Sequence, residues 1–203
     1  MMDIAKIPET MRLKERGTLL TGLIAGLEDG EEAIAILCAK ADEMQKYGDL
    51  LFVTRNGLVK RSAASEYGIR RSRFAAISLK GGDEVVSMMP VASDAKGELL
   101  LITAGAMAVR FKLSEVSCTG RTTAGVKGIE VADGDAVRWA YMPQAGDMLL
   151  VITDRGIGKR MLSDDIDRQK RATKGQKLMP ITKTGEIGSG LAACLRVGPA
   201  DLI

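Results

Sequence analysis

Leu50-Leu51-Phe52-Val53-Thr54-Arg55-Asn56-Gly57-Leu58-Val59-Lys60-Arg61 is an uninterrupted apolar run, a turn dipeptide, and a second short run that ends on two basic residues. Asn-Gly suits a tight hairpin turn needing positive φ, so the stretch predicts two antiparallel strands. The pattern recurs. Moving 49 residues on, Leu99-Leu100-Leu101-Ile102-Thr103 leads to Arg110. A further 50 residues on, Met148-Leu149-Leu150-Val151-Ile152-Thr153 leads through Arg155-Gly156 to Lys159-Arg160. Ser65-Glu66, Ser114-Glu115 and Asp164-Asp165 follow the three hairpins. The middle copy carries Gly105-Ala106 at its turn, which leaves its turn type open.

A second half-unit follows each hairpin. Ile77-Ser78-Leu79-Lys80-Gly81-Gly82-Asp83-Glu84-Val85-Val86 matches Ile129-Glu130-Val131-Ala132-Asp133-Gly134-Asp135-Ala136-Val137, and upstream it matches the stretch from Ile24 to Ile34. A divergent copy runs from Leu178 to Leu195, with its turn at Lys183-Thr184-Gly185. Each reads as strand, glycine-containing turn, strand. Four short strands about every 50 residues, with almost no helical period, predict an all-β, propeller-like array of four-stranded blades. One such unit cannot bury both faces of its sheet alone, so neighbours must stack. Asp49, Glu98 and Asp147 open successive units, and Asp201-Leu202-Ile203 resembles another opening. The expected division is a half blade at 1–47 and blades at about 48–97, 98–146 and 147–203, together an incomplete array from a longer protein.

Composition narrows the function classes. The 203 residues contain no histidine, 3% aromatics and a net charge of +3 from 29 basic and 26 acidic residues. So small an excess says little by itself, and the placement of charge has to carry any argument for a polyanionic partner. Cys38, Cys118 and Cys194 have no paired spacing, which argues against a disulfide framework or zinc site and for a reducing cytosol. No apolar stretch is long enough to span a membrane. Without histidine the commonest general base is missing, and no phosphate-binding glycine loop with lysine is present. Gly156-Ile157-Gly158 reads as a hairpin turn, and Asp83-Glu84 and Asp133-Gly134-Asp135 read as turn residues rather than metal ligands. Tyr67 shares its repeat position with Val116 and Ile166, which marks it as core. Trp139 and Tyr141 flank Ala140 on one side of a strand and are read as packing residues. Neither a catalytic residue nor a cofactor is expected.

Between the half-units lie loops rich in Arg and Lys. Arg12, Lys14 and Arg16 fall in the first; Arg70, Arg71 and Arg73 in the second; Arg121 and Lys127 in the third; Arg168, Lys170, Arg171, Lys174 and Lys177 in the fourth. Taken singly, such residues are usually just solvated. Stacked units would align the loops along one edge as a basic stripe, suited to the phosphates of a duplex wrapped outside. A protein-interaction module on the same blades is the competing reading, and an anion-binding regulatory module a weaker one.

The stretches Phe52-Val53-Thr54-Arg55-Asn56-Gly57-Leu58-Val59-Lys60-Arg61, Gly120-Arg121-Thr122-Thr123-Ala124-Gly125-Val126-Lys127-Gly128-Ile129 and Gly156-Ile157-Gly158-Lys159-Arg160 resemble the C-terminal domain of bacterial type IIA topoisomerase A subunits, over essentially the whole chain. The resemblance implies a β-pinwheel whose blades exchange strands. It also implies a non-catalytic domain that binds and bends double-stranded DNA in the cytoplasm for strand passage. The implied partners are the ATPase B subunit of the enzyme together with the remaining domains of the A protein. Gln169-Lys170-Arg171-Ala172-Thr173-Lys174-Gly175 keeps only part of the basic box of gyrase A subunits, so gyrase and topoisomerase IV both remain open.

Overall fold

The apolar runs become the central strands of three antiparallel sheets in the computed structural model, which describes residues 4–24, 26–28, 30–38, 47–69, 71, 73–182, 185–198 and 201. The strands are β1 (Asp49–Thr54), β2 (Leu58–Ala63), β3 (Val85–Val91), β4 (Glu98–Thr103), β5 (Met107–Lys112), β6 (Val126–Lys127), β7 (Val137–Tyr141), β8 (Met148–Thr153), β9 (Gly158–Leu162), β10 (Gln176–Lys177) and β11 (Leu191–Val197). Their order is β3-β1-β2-β6 in the first sheet, β10-β5-β4-β7 in the second and β11-β8-β9 in the third.

A strand whose inner positions are all apolar has to be covered on both faces, and β1, β4 and β8 show how. Leu51 and Val53 of β1 pack with Leu99 and Leu101 of β4 in the core between the first two blades. The opposite face of β4, Leu100 and Ile102, packs with Leu149 and Val151 of β8 between the second and third. Leu50 and Phe52 turn away from the array and are covered by Tyr67 and by Phe74, Ala76 and Ile77 of their own loop. Tyr67, Val116 and Ile166 are all buried, as their shared repeat position predicts. Trp139 and Tyr141 pack against the core between the second and third blades.

The three hairpin turns share one construction. Gly57, Ala106 and Gly156 all have positive φ, and their amides donate to Thr54, Thr103 and Thr153 main-chain oxygens at 3.0, 3.0 and 2.9 Å. The same three threonines accept from Leu58, Met107 and Ile157 amides through their hydroxyls at 3.0–3.1 Å. The turn left open by Gly105-Ala106 is therefore the same turn, with alanine in the left-handed region.

Two expectations need correction. The first strand expected in each second half-unit, at Ile77–Leu79 and Ile129–Val131, does not form. The residues that pair are Val126–Lys127, just upstream of Ile129, and Gln176–Lys177, just upstream of Leu178, and they join the outer edge of the preceding blade rather than their own. The strand expected within Ile24–Ile34 is also absent among the described residues: a helical turn, α1 (Leu20–Leu23), ends just before it, and the described chain that follows is irregular, with Ile34 and Ile36 exposed. The physical reason is pairing. β3, β7 and β11 each bond to the first strand of a hairpin that precedes them, and no hairpin precedes residue 24 among the described residues. Lys183 and Thr184 of the last expected turn lie outside the described residues; Gly185 beside them has φ +74° and its amide donates to the Thr182 main-chain oxygen at 3.0 Å.

Candidate nucleic-acid interface

The outer edge of the array is built by donation. Gly125 and Gly175 precede β6 and β10 with φ +92° and +80°, and a Cβ on either would lie 2.5 Å from the Val59 oxygen or 2.2 Å from the Ala108 oxygen. Only glycine lets the donated backbone come this close to the preceding hairpin. Donation therefore carries residues 118–128 to the edge of the first blade and 168–177 to the edge of the second. Bridges between Arg61 and Cys118 and between Arg110 and Arg168 fix the same alignment twice.

Successive loops also touch. The Ser78 amide donates to the Thr123 oxygen at 3.1 Å, and one repeat later the Glu130 amide donates to the Thr173 oxygen at 2.9 Å. The Ala172 amide donates to the Gly128 oxygen at 2.7 Å. The described residues of loops 71–78, 119–128 and 168–177 thus adjoin one another along one continuous edge.

The structure divides the candidate cations into two kinds. Arg121 and Arg171 are half-buried ties. The Arg171 guanidinium donates to the Glu115 and Lys127 oxygens at 3.2 and 3.1 Å. Arg121 donates to the Ala75 oxygen and lies over the Phe74 ring, 5.3 Å from its centre. Their own amides are held by the Glu66 and Glu115 carboxylates, at 2.7 and 3.2 Å. Arg73 is drawn to Glu28 and Glu31 at 3.5 and 2.9 Å, Arg168 to Glu98 at 3.3 Å, and the Lys177 ammonium to the Ile181 oxygen at 2.6 Å. Arg71, Lys127, Lys170 and Lys174 are exposed on the continuous edge, with no side-chain partner among the described residues. Arg12, Lys14 and Arg16 are exposed as well, but on the irregular chain before the first blade, where no hydrogen bond among the described residues joins them to the edge. Arg70 lies outside the described residues.

Charge pattern alone missed two features. Arg61 and Arg110 pair with Asp49 and Glu98, each at 3.3 Å, whereas Arg160 at the same repeat position on β9 is exposed and unpaired among the described residues. Lys60 is fully buried, and burial pulls its ammonium down to about 8. The repeat position of Arg160 was a signal in the sequence; lysine recurs at the position of Lys60 as Lys159, which is exposed, so the residue type did not signal the burial.

The acidic turns are structural. Asp83 accepts the Asn56 and Glu84 amides at 2.9 Å each, and Asp135 accepts those of Gly105 and Ala136 at 2.8 and 2.7 Å. No group of three or more His, Cys, Asp or Glu is placed to hold a metal ion among the described residues. The buried Cys194 thiol is pushed up to about 11 by its burial, which leaves it unreactive near neutrality. No helix among the described residues is long and apolar enough to cross a membrane.

The repeated blades match a known family. The profile of the family described as DNA gyrase C-terminal domain, beta-propeller, matches residues 48–92, 97–142 and 147–187. The chain belongs to this DNA gyrase C-terminal domain family. It is 33% identical to the DNA gyrase A protein of Salmonella typhimurium over 204 residues, and 36% identical to that of Helicobacter pylori over 192. These alignments cover 100% and 93% of the chain but only 22% and 23% of the relatives. The crystal structure of the C-terminal domain of DNA topoisomerase IV superposes with a TM-score of 0.82 at 29% identity, covering 93% of this chain and 57% of that one. The DNA gyrase A C-terminal domain superposes at 0.70 with 22% identity, covering 92% and 59%, a likeness of fold. The chain is thus a propeller-type topoisomerase domain.

Proposed function

We propose that this domain binds duplex DNA along its outer edge through phosphate contacts and bends the duplex around the array, so that a segment is presented for strand passage. The observation that carries the reading is the continuity of loops 71–78, 119–128 and 168–177, on which Arg71, Lys127, Lys170 and Lys174 stand exposed and unpaired among the described residues. A row of cations on one edge acts on the phosphate backbone without reading bases. Arg12, Lys14, Arg16 and Arg70 belong to the proposed surface by their place in the basic loops of the sequence repeat. Arg73, Arg121, Arg168, Arg171 and Lys177 serve it chiefly by shaping the loops. On this reading the chain is itself non-catalytic and cytoplasmic, and it works with an ATPase B subunit, joined to the remaining domains of the A protein.

The test is the Lys127→Ala, Lys170→Ala, Lys174→Ala triple variant. Each lost phosphate contact should make the slope of log affinity against log salt shallower by about 0.9, so the triple should lose between about 2 and 3, with thermal stability unchanged. An unaltered slope would remove these lysines from the contact surface.

A further inference from the structure

We propose that Lys60 is a positioning residue that holds loop 71–78 in register with loop 119–128, doing with a side chain what the main chain does one repeat later. The inference rests on the DNA-binding reading for its consequence, but not for its geometry.

The two loop junctions are related by the repeat. Ala75, Ala76 and Ser78 of the first correspond to Lys127, Gly128 and Glu130 of the second. Arg121 donates to the Ala75 oxygen as Arg171 does to the Lys127 oxygen. Ser78 donates to the Thr123 oxygen as Glu130 does to the Thr173 oxygen. One bond breaks the correspondence. The Gly128 oxygen is held by the Ala172 amide at 2.7 Å, but the equivalent Ala76 oxygen receives no main-chain donor among the described residues. It takes the Lys60 ammonium at 2.7 Å and the Tyr67 hydroxyl at 3.2 Å instead.

The same ammonium donates to the Arg121 oxygen, so one nitrogen reaches into both loops from beneath. The side chain is fully buried, and its ammonium nitrogen lies 5.7 and 5.9 Å from the centres of the Phe52 and Tyr67 rings. The repeat supplies its own control: the position of Lys60 is Val109 in the second blade, also fully buried. A blade therefore folds with valine there, provided the main-chain bond at the junction is made. The first junction lacks that bond because the chain from Glu66 to Ile77 is three residues shorter than from Glu115 to Ile129. Lysine spans the gap left by the shorter loop. Arg71, one of the free cations, stands on the loop so held.

The experiment is amide exchange read residue by residue by NMR on the full chain, with Lys60→Val and Lys60→Met compared with wild type and duplex affinity titrated against salt in parallel. In both variants the Ser78 amide should exchange about tenfold faster, with Glu130 and the amides of β4 and β8 unchanged. The salt slope should become shallower by about one, the share of Arg71. Unchanged exchange at Ser78 overturns the proposal. So does a uniform acceleration of all amides, which would make Lys60 a general core residue. If wild type itself fails to bind duplex, the DNA reading falls while the exchange result still decides the role of Lys60.

Discussion

The guanidinium of Arg171 donates to the main-chain oxygen of Lys127 at 3.1 Å, tying the loop on the second blade's edge to the backbone of the loop before it. Arg121 makes the same tie to Ala75. These arginines look like phosphate contacts in a charge count, but they hold the edge together, and their neighbours differ from them in a measurable way. Arg171→Ala should destabilise the chain by about 2–3 kcal/mol, because charge-assisted bonds to the Glu115 and Lys127 oxygens are lost together. Lys170→Ala should stay within about 0.5 kcal/mol of wild type, as an exposed side chain without a partner among the described residues. Thermal denaturation separates the two, and equal losses would contradict the division into ties and free cations.

Gly57 and Ala106 hold equivalent turn positions with φ +82° and +64°, yet they should not respond alike. A Cβ at Gly57 would lie 2.8 Å from both the Cγ2 and the main-chain oxygen of Ile129. Gly57→Ala should therefore cost about 2–4 kcal/mol, from overpacking and the left-handed backbone together. Ala106→Gly relieves strain but frees the unfolded chain, so it should change stability by no more than about 1 kcal/mol. Urea unfolding of the two variants checks the contrast.

The buried ammonium of Lys60 gives stability a pH dependence with a definite sign. Its value falls from 10.5 to about 8, chiefly through burial. Between about pH 8 and 10.5 the unfolded chain keeps this proton while the folded chain releases it. The unfolded state then binds more protons, and stability rises with pH across that window. A neutral amine still has two hydrogens for the Ala76 and Arg121 oxygens, so the junction survives the titration. Chemical denaturation at about pH 7.5 and about pH 10 should show this rise in wild type and a smaller one in Lys60→Met. Identical pH profiles would show that Lys60 keeps its ordinary value.

Much of the fold was legible because it is repeated. Apolar runs of four or five residues, the threonine before each turn and the buried position shared by Tyr67, Val116 and Ile166 each recur at the spacing of one blade. Strand donation was harder to read. Val126–Lys127 and Gln176–Lys177 are two-residue strands whose partners lie in the preceding unit, and so short a strand has no period. The visible trace of donation is Gly125 and Gly175, one repeat apart, and its meaning appears only once the Val59 and Ala108 oxygens are seen against them. The candidate interface was legible as a set of loops but not as a set of contacts. Whether an arginine meets solvent, a carboxylate or a carbonyl depends on the neighbouring loop, as Arg171 and Lys170 illustrate side by side.

Wrapping is tested most directly on a linear duplex of over ~100 base pairs labelled at both ends, followed by fluorescence transfer while the chain is titrated at several salt concentrations. A continuous cationic edge predicts that the ends are drawn together on binding. With ~6–10 phosphates contacted, it also predicts that affinity falls about 10³–10⁵-fold between ~50 and ~200 mM salt. Binding without any approach of the ends, or affinity indifferent to salt, would contradict it.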